Sequence, residues 1–163
     1  EHGLWVVELD DNGRAGYRRQ IVLDDDWGGE PLEPRWAVWW PDGSRILAVT
    51  TAGQPVIVDH HQTPSKATLT GMYGVVSPDA TRIAFGTESG IEIACADASR
   101  SGVVVSPSSP YGVVDALSWS PDGRHIVVGG SEGLFVVDVD GGESRHLTSG
   151  AHYYPVWLNH PWG

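Results

Sequence analysis

Short apolar runs alternate with polar turns along the whole chain, and three of the turns share one phrase. The phrase is Pro-Asp followed by a small residue, and it lies between two apolar runs at Pro41, Pro78 and Pro121. Proline presets φ at the first central position of a turn, and the aspartate can bond the backbone two residues on. Each phrase therefore predicts a hairpin between two strands.

A second pair of apolar runs follows each of these hairpins. The predicted third strands are 56–59, 91–94 and 134–138, and the predicted fourth strands are 67–70, 103–105 and 144–148. Each repeat thus holds four strands in roughly 40 residues, a length typical of blades stacked around an axis. The predicted fold class is all-β: a β-propeller with four-stranded antiparallel blades at 35–70, 73–105 and 115–148.

The two ends of the chain correspond to parts of blades. Residues 3–24 predict the third and fourth strands of a blade, because 3–10 repeats 133–140 nearly position by position. Residues 153–163 predict a first strand, with Trp157 in the place of Trp119. Either the ends meet in one incomplete blade and close a four-bladed ring, or the chain is a segment of a larger ring. The usual range of blade numbers favours the segment. An open arc exposes its blade faces, which makes self-association through open blade edges possible.

Most tryptophans fall on predicted strands, where we expect them to pack between blades. These are Trp5, Trp36, Trp39, Trp119 and Trp157. Trp40 differs, because it takes a position that serine holds in the other two copies of the phrase. We expect the Trp40 side chain to be more exposed.

The repeated aromatic-x-Pro-Asp-Gly-x-x-Ile phrase, followed by a strand, a Gly-containing loop and a strand ending in Asp, resembles the TolB-type β-propeller repeat. This WD-repeat-like resemblance runs from Leu4 to Trp157, although the second copy has Ala80 for glycine and the last has lost Pro-Asp-Gly. The resemblance implies a scaffold that binds proteins, peptides or small ligands. It also implies a periplasmic or extracytoplasmic location in a bacterium, without excluding the cytoplasm.

Charge and composition limit the classes of partner that the chain is expected to bind. The net charge is −11, with Lys66 as the only lysine, which argues against nucleic acid. No apolar run is long enough to span a bilayer. Cys95 is the only cysteine, and no histidine pair has metal-ligand spacing. We therefore predict no cofactor and no metal site.

Candidate binding residues lie in the loops that we expect at one end of the blades. These loops join a fourth strand to the next first strand, or a second strand to a third, and we call this end the loop face. The predicted site consists of Asp24, Asp25, Asp26, Trp27, Tyr73, Tyr111, His152 and Tyr153. The carboxylates and aromatic rings would contact a protein or peptide partner. Alternatively, the acidic loop is a solvated connector and the rings pack over the blade tops.

The leading functional prediction is a non-catalytic protein- or peptide-binding propeller. The alternative is the propeller portion of an enzyme, either the substrate-gating domain of a prolyl-oligopeptidase-type serine peptidase or a propeller hydrolase or lyase. Peptidases of that type carry their catalytic serine in a separate α/β-hydrolase domain, and this chain does not resemble such a domain. No catalytic residue is predicted here. A third possibility is a purely structural part of a ring.

Overall fold

The structure, a computed structural model, describes residues 3–21, 34–59, 65–66, 71, 73–88, 90–96, 101–103, 110–150 and 154–158. Within these ranges the chain forms strands and no helix, and so no helix that could cross a membrane. The strands are β1 (Trp5–Leu9), β2 (Ala15–Gln20), β3 (Pro34–Trp39), β4 (Arg45–Thr50), β5 (Pro55–Asp59), β6 (Ser65–Lys66), β7 (Tyr73–Val76), β8 (Arg82–Thr87), β9 (Gly90–Cys95), β10 (Ser101–Val103), β11 (Val114–Trp119), β12 (His125–Gly130), β13 (Gly133–Asp138) and β14 (Ser144–Ser149).

The strands form four antiparallel sheets in chain order. Strands β1 and β2 pair as a two-stranded sheet, here called the half-blade. Blade 1 contains β3–β6, blade 2 contains β7–β10 and blade 3 contains β11–β14, each as a four-stranded meander. The sequence prediction of four-stranded antiparallel repeats is confirmed.

The Pro-Asp phrase closes the first hairpin of each blade as its chemistry predicts. In blade 3 the Gly123 amide donates to the Ser120 carbonyl at 2.9 Å. The Asp122 carboxylate accepts from the Ser120 hydroxyl at 2.5 Å and from the Arg124 amide at 3.0 Å. Gly123 has φ of 68°, and Ala80 holds the equivalent position of blade 2 at φ 60°, which is strained for a residue with a Cβ.

Three hydrophobic clusters join neighbouring sheets. One cluster packs Leu4 and Val6 of the half-blade against Val56 and Val58 of blade 1. A second cluster joins blade 1 to blade 2, and a third joins blade 2 to blade 3. The sheets therefore stack face to face in chain order, and their central strands are buried on both sides.

Indole hydrogen bonds hold the first strands of successive blades side by side. Trp36 Nε1 donates to the Gly74 carbonyl at 3.0 Å, and Trp119 Nε1 donates to the Val75 carbonyl at 3.0 Å. Trp157 Nε1 donates to the Ser118 carbonyl at 2.9 Å. Residues 154–158 thereby follow β11 as the next inner strand in position, although they pair with no sheet.

The expected exposure of Trp40 is wrong. Its side chain is 1% exposed and packs with Ile83 and Ala94 of blade 2, and the Arg45 guanidinium lies 4.2 Å from its ring centroid. The position is buried because blade 2 covers it. The sequence around Trp40 does not indicate this contact. Conversely, Trp5 and Trp39 are 38% and 48% exposed rather than packed between two blades.

The outer strands begin earlier than predicted. Strand β6 occupies Ser65–Lys66 and β10 occupies Ser101–Val103, whereas we expected 67–70 and 103–105. Residues 67–70 and 104–105 lie outside the described residues. Outer strands are short and polar, so their alternation defines a register weakly.

Candidate binding site on the inner strands

The two predicted sets of loops meet at one end of the blades. The Gly71 amide, in the connection from blade 1 to blade 2, donates to the Gly53 carbonyl in the β4–β5 turn at 3.1 Å. In blade 3 the Ser131 amide of the β12–β13 turn donates to the Val113 carbonyl before β11 at 3.1 Å. The Pro-Asp turns lie at the opposite end, where the Val139 amide donates to the Arg124 carbonyl at 3.0 Å.

Six of the eight predicted site residues lie outside the described residues. They are Asp24, Asp25, Asp26, Trp27, His152 and Tyr153. Their role in binding stays a prediction from sequence. Tyr73 and Tyr111 are described, and the structure places them in different environments.

Tyr111 is fully buried beneath the loop face. Its ring packs edge to face on Phe135, with centroids 4.9 Å apart, and its side chain is 0% exposed. Burial raises the pKa of the Tyr111 hydroxyl. Gly130 makes this packing possible, because a Cβ there would overlap the Tyr111 carbonyl. Tyr111 thus matches the alternative in which rings pack over the blade tops.

Tyr73 borders a pocket formed by the inner strands. It is the first residue of β7, and its half-buried ring meets the Trp36 ring edge to face, with centroids 6.1 Å apart. The pocket has a volume of about 200 Å³. Its lining comes from β3, β7, β11 and residues 154–158, namely Trp36, Tyr73, Val75, Ala116, Leu117, Ser118, Tyr154, Pro155 and Val156.

The pocket lining is aromatic and aliphatic. Among the described residues it contains no acidic or basic side chain, and Ser118 contributes the one aliphatic hydroxyl. The hydrogen bonds from Trp36 to Gly74 and from Trp157 to Ser118 fix two of its walls. Tyr154 has φ of 59°, a conformation that costs energy for a side chain of this size and that concentrates at binding sites. Such a pocket can enclose an apolar side chain and offer tyrosine hydroxyls at its rim.

Sequence reasoning found Tyr73 but missed the other pocket residues. In the sequence, Trp36 and Leu117 look like ordinary core residues of strands. The residues around each of them do not indicate that the two side chains line one pocket. The usable signal was their shared position on first strands, which line the axis of a propeller. Tyr154 falls in the predicted first strand at 153–163 and is not among the predicted site residues.

Carboxyl groups with shifted pKa values lie at the other end of the blades. Hydrogen bonds from Ser77 and Ser120 lower the pKa of Asp79 and Asp122, against a smaller opposing effect of burial. Amides of Gly141 and Asp140 lower the pKa of Asp138. These carboxylates shape turns. Within the described residues no group of three His, Cys, Asp or Glu side chains could hold a metal ion.

Stacked four-stranded meanders with adjacent first strands define a β-propeller fold, and comparison with solved structures agrees. A chain in the crystal structure of a nidogen–laminin complex superposes with a TM-score of 0.69 at 10% identity, over 88% of this chain and 57% of that chain. A TolB-like protein of Agrobacterium tumefaciens superposes with a TM-score of 0.60 at 18% identity, over 84% of this chain and 50% of that chain. A β-propeller domain from Myceliophteria thermophila superposes with a TM-score of 0.59 at 14% identity, over 90% of this chain and 52% of that chain.

These similarities establish the fold. The chain spans 50% to 57% of the length of these three chains. Neither a protein-family model nor a curated protein sequence matches it. The function must therefore come from the site.

Proposed function

We propose that this chain is a binding module that captures a protein or peptide by enclosing one apolar side chain in the inner-strand pocket. The observation that carries the proposal is the pocket itself, with the rings of Trp36, Tyr73 and Tyr154 converging around about 200 Å³. Small-molecule sites typically measure about 300–1,000 Å³, so this volume suits a single side chain better than a whole ligand. Aromatic residues are also enriched at the cores of protein interfaces.

Charge favours a basic partner. The chain carries a net charge of −11, and the sequence assigns Asp24, Asp25 and Asp26 to a loop-face connection together with Trp27. Lysine or arginine residues that flank an apolar anchor would meet these carboxylates, which would increase the association rate at low salt. One neighbour, the chain from the nidogen–laminin structure, was solved in a complex with another protein, so this fold can serve such a role.

A peptide titration tests the proposal. The 163-residue protein is titrated with two peptide sets that share a central Leu, Phe or Trp and differ only in basic or acidic flanks. We expect the basic set to bind and the acidic set to bind at least about tenfold more weakly. Isothermal calorimetry measures the affinity, and binding should weaken as salt increases.

Variants locate the binding. Tyr73→Ala should reduce the affinity about tenfold, because aromatic anchors commonly contribute more than 1 kcal/mol. Tyr17→Ala is the matched control, because Tyr17 is 64% exposed on β2 and does not line the pocket. Replacing Trp27 by Ala and the three aspartates by Asn together should abolish capture without lowering Tm. Equal losses for Tyr73→Ala and Tyr17→Ala would refute the pocket as the site.

A further inference from the structure

Two aromatic rings of the inner-strand pocket meet nearly at right angles. The ring planes of Trp36 on β3 and Tyr73 on β7 make an angle of 76°, and their centroids lie 6.1 Å apart. Tyr154 lines the same cavity of about 200 Å³. The face of an aromatic ring carries partial negative charge, and its edge carries partial positive charge. A ligand group in this corner therefore meets electron-rich aromatic surface from separate segments of the chain.

The Trp36 ring is fixed in this position by contacts between blades. Its Nε1 atom donates to the Gly74 carbonyl at 3.0 Å, so the indole cannot rotate without breaking a bond to blade 2. Gly74 lies in close packing, because a Cβ there would be 2.8 Å from a Leu47 methyl carbon. The corner is thus formed before a ligand binds, and binding costs little side-chain entropy at Trp36.

The other described lining residues offer little to a group that needs hydrogen-bond acceptors. Five of them are aliphatic, namely Val75, Ala116, Leu117, Pro155 and Val156. The Ser118 carbonyl already accepts the Trp157 Nε1 proton at 2.9 Å. A primary ammonium carries three N–H donors, and in this lining only hydroxyl groups of side chains could accept from it. An unmodified lysine would lose its water without gaining a carboxylate, which costs free energy.

A quaternary ammonium group avoids this cost, because its nitrogen carries no N–H. Its positive charge spreads over the attached methyl groups, which pack against apolar walls and are attracted to aromatic faces. Tryptophan and tyrosine rings are the side chains that attract such a cation most strongly. The net charge of −11 further favours a cation over a neutral group of the same shape.

We infer that the inner-strand pocket binds the trimethylammonium group of a trimethylated lysine in a peptide. The inference rests on the proposed function and narrows it, because it names the side chain that the pocket encloses. Trp36 and Tyr73 contact the methyl groups, and Tyr154 forms a further wall. A peptide is the source of the group because the cavity suits one side chain and the acidic chain favours basic flanking residues.

Four peptides with identical basic flanks provide the test. Their central residues are trimethyllysine, lysine, leucine, and a neutral analogue of trimethyllysine that has carbon in place of the nitrogen. In isothermal calorimetry on the 163-residue protein, the trimethyllysine peptide should bind at least about tenfold more tightly than the neutral analogue. Lysine has the same charge as trimethyllysine, so the lysine peptide controls for long-range attraction. It should also bind about tenfold more weakly.

Variants at Tyr73 separate the aromatic face from apolar contact. Tyr73→Phe keeps the ring and should keep the preference for trimethyllysine over the neutral analogue. Tyr73→Leu keeps an apolar wall and should reduce that preference at least about threefold. Tyr17→Leu is the matched control, because Tyr17 is 64% exposed and does not line the pocket. With the unmodified protein, ring currents should shift the methyl proton resonance of bound trimethyllysine upfield, a measurement that needs no variant.

The outcomes distinguish this inference from the proposed function. Equal affinities for the trimethyllysine, neutral-analogue and leucine peptides overturn the inference and leave the apolar pocket of the proposed function in place. If none of the four peptides binds, both are overturned. An unchanged preference in Tyr73→Leu, or a methyl resonance that does not shift on binding, overturns the aromatic contact. Free choline that binds as tightly as the trimethyllysine peptide overturns the peptide as the source of the group.

Discussion

Arg82 connects blade 2 to blade 3, and replacing it by methionine measures how much one inter-blade contact contributes to stability. Its Nη2 atom donates to the Gly123 carbonyl at 2.7 Å, and its guanidinium lies 5.0 Å from the Trp119 ring centroid. Arg82 also lies 3.9 Å from an Asp140 carboxylate oxygen. Methionine keeps most of the aliphatic stem while removing the charge and the donors.

The magnitude follows from these contacts. A hydrogen bond with a charged donor contributes about 1.5–3 kcal/mol, and the lower end applies because the Arg82 side chain is 30% exposed. The stacking on Trp119 adds about 0.5–1 kcal/mol. The ion pair adds little, because the Asp140 side chain is 87% exposed. We expect Arg82→Met to lower the free energy of unfolding by about 2 kcal/mol.

Urea denaturation followed by tryptophan fluorescence is the assay. For a chain of this size, a loss of about 2 kcal/mol lowers Tm by roughly 4–8 °C, and the urea midpoint falls with little change in m. Arg124→Met is the matched control, because Arg124 is an exposed arginine on the neighbouring turn and should change stability by less than about 0.5 kcal/mol. If the two variants are equally stable, blades 2 and 3 do not meet as described.

Three further predictions concern the turns and a close contact between blades. Ala80→Gly should raise Tm by about 1–2 °C, because it relieves the strain of φ 60° by more than glycine adds to the entropy of the unfolded chain. Gly74→Ala should cost about 1–3 kcal/mol in urea denaturation, since its Cβ would lie 2.8 Å from a Phe85 ring carbon. The pKa values of Asp79 and Asp122 lie below the ordinary value of 3.8 in the folded protein, so their stabilisation is present above pH 3.8 and is lost as pH falls further. Melting curves between pH 7 and pH 2.5 should show this loss, and the double variant with Asn at both positions should show less of it.

The architecture was predictable from sequence because its nucleating turns are local. Proline, aspartate and glycine each act within four residues, so their hairpins can be located without any knowledge of packing. The central strands are apolar on both sides, which is typical of sheets covered on both faces. The described outer strands β6 and β10 begin about two residues before the predicted ones, because short polar strands carry no such pattern.

Contacts between blades could not be predicted in the same way. Trp40 is buried by Ile83 and Ala94, which come from the next blade, 43 and 54 residues later in the chain. The inner-strand pocket likewise combines four segments of the chain. Of its lining residues, Tyr73 alone was predicted as a site residue. A linear sequence gives no distance between such segments, so only the stacked sheets bring them together.

The central claim is that successive blades are joined at their first strands by indole-to-carbonyl hydrogen bonds. Hydrogen exchange of the indole N–H groups, followed by nuclear magnetic resonance on the 163-residue protein, tests it most directly. The account predicts that the Nε1 protons of Trp36 and Trp119, whose bonds to Gly74 and Val75 measure 3.0 Å, exchange far more slowly than those of free tryptophan. Exchange of both at the rate of free tryptophan would contradict it.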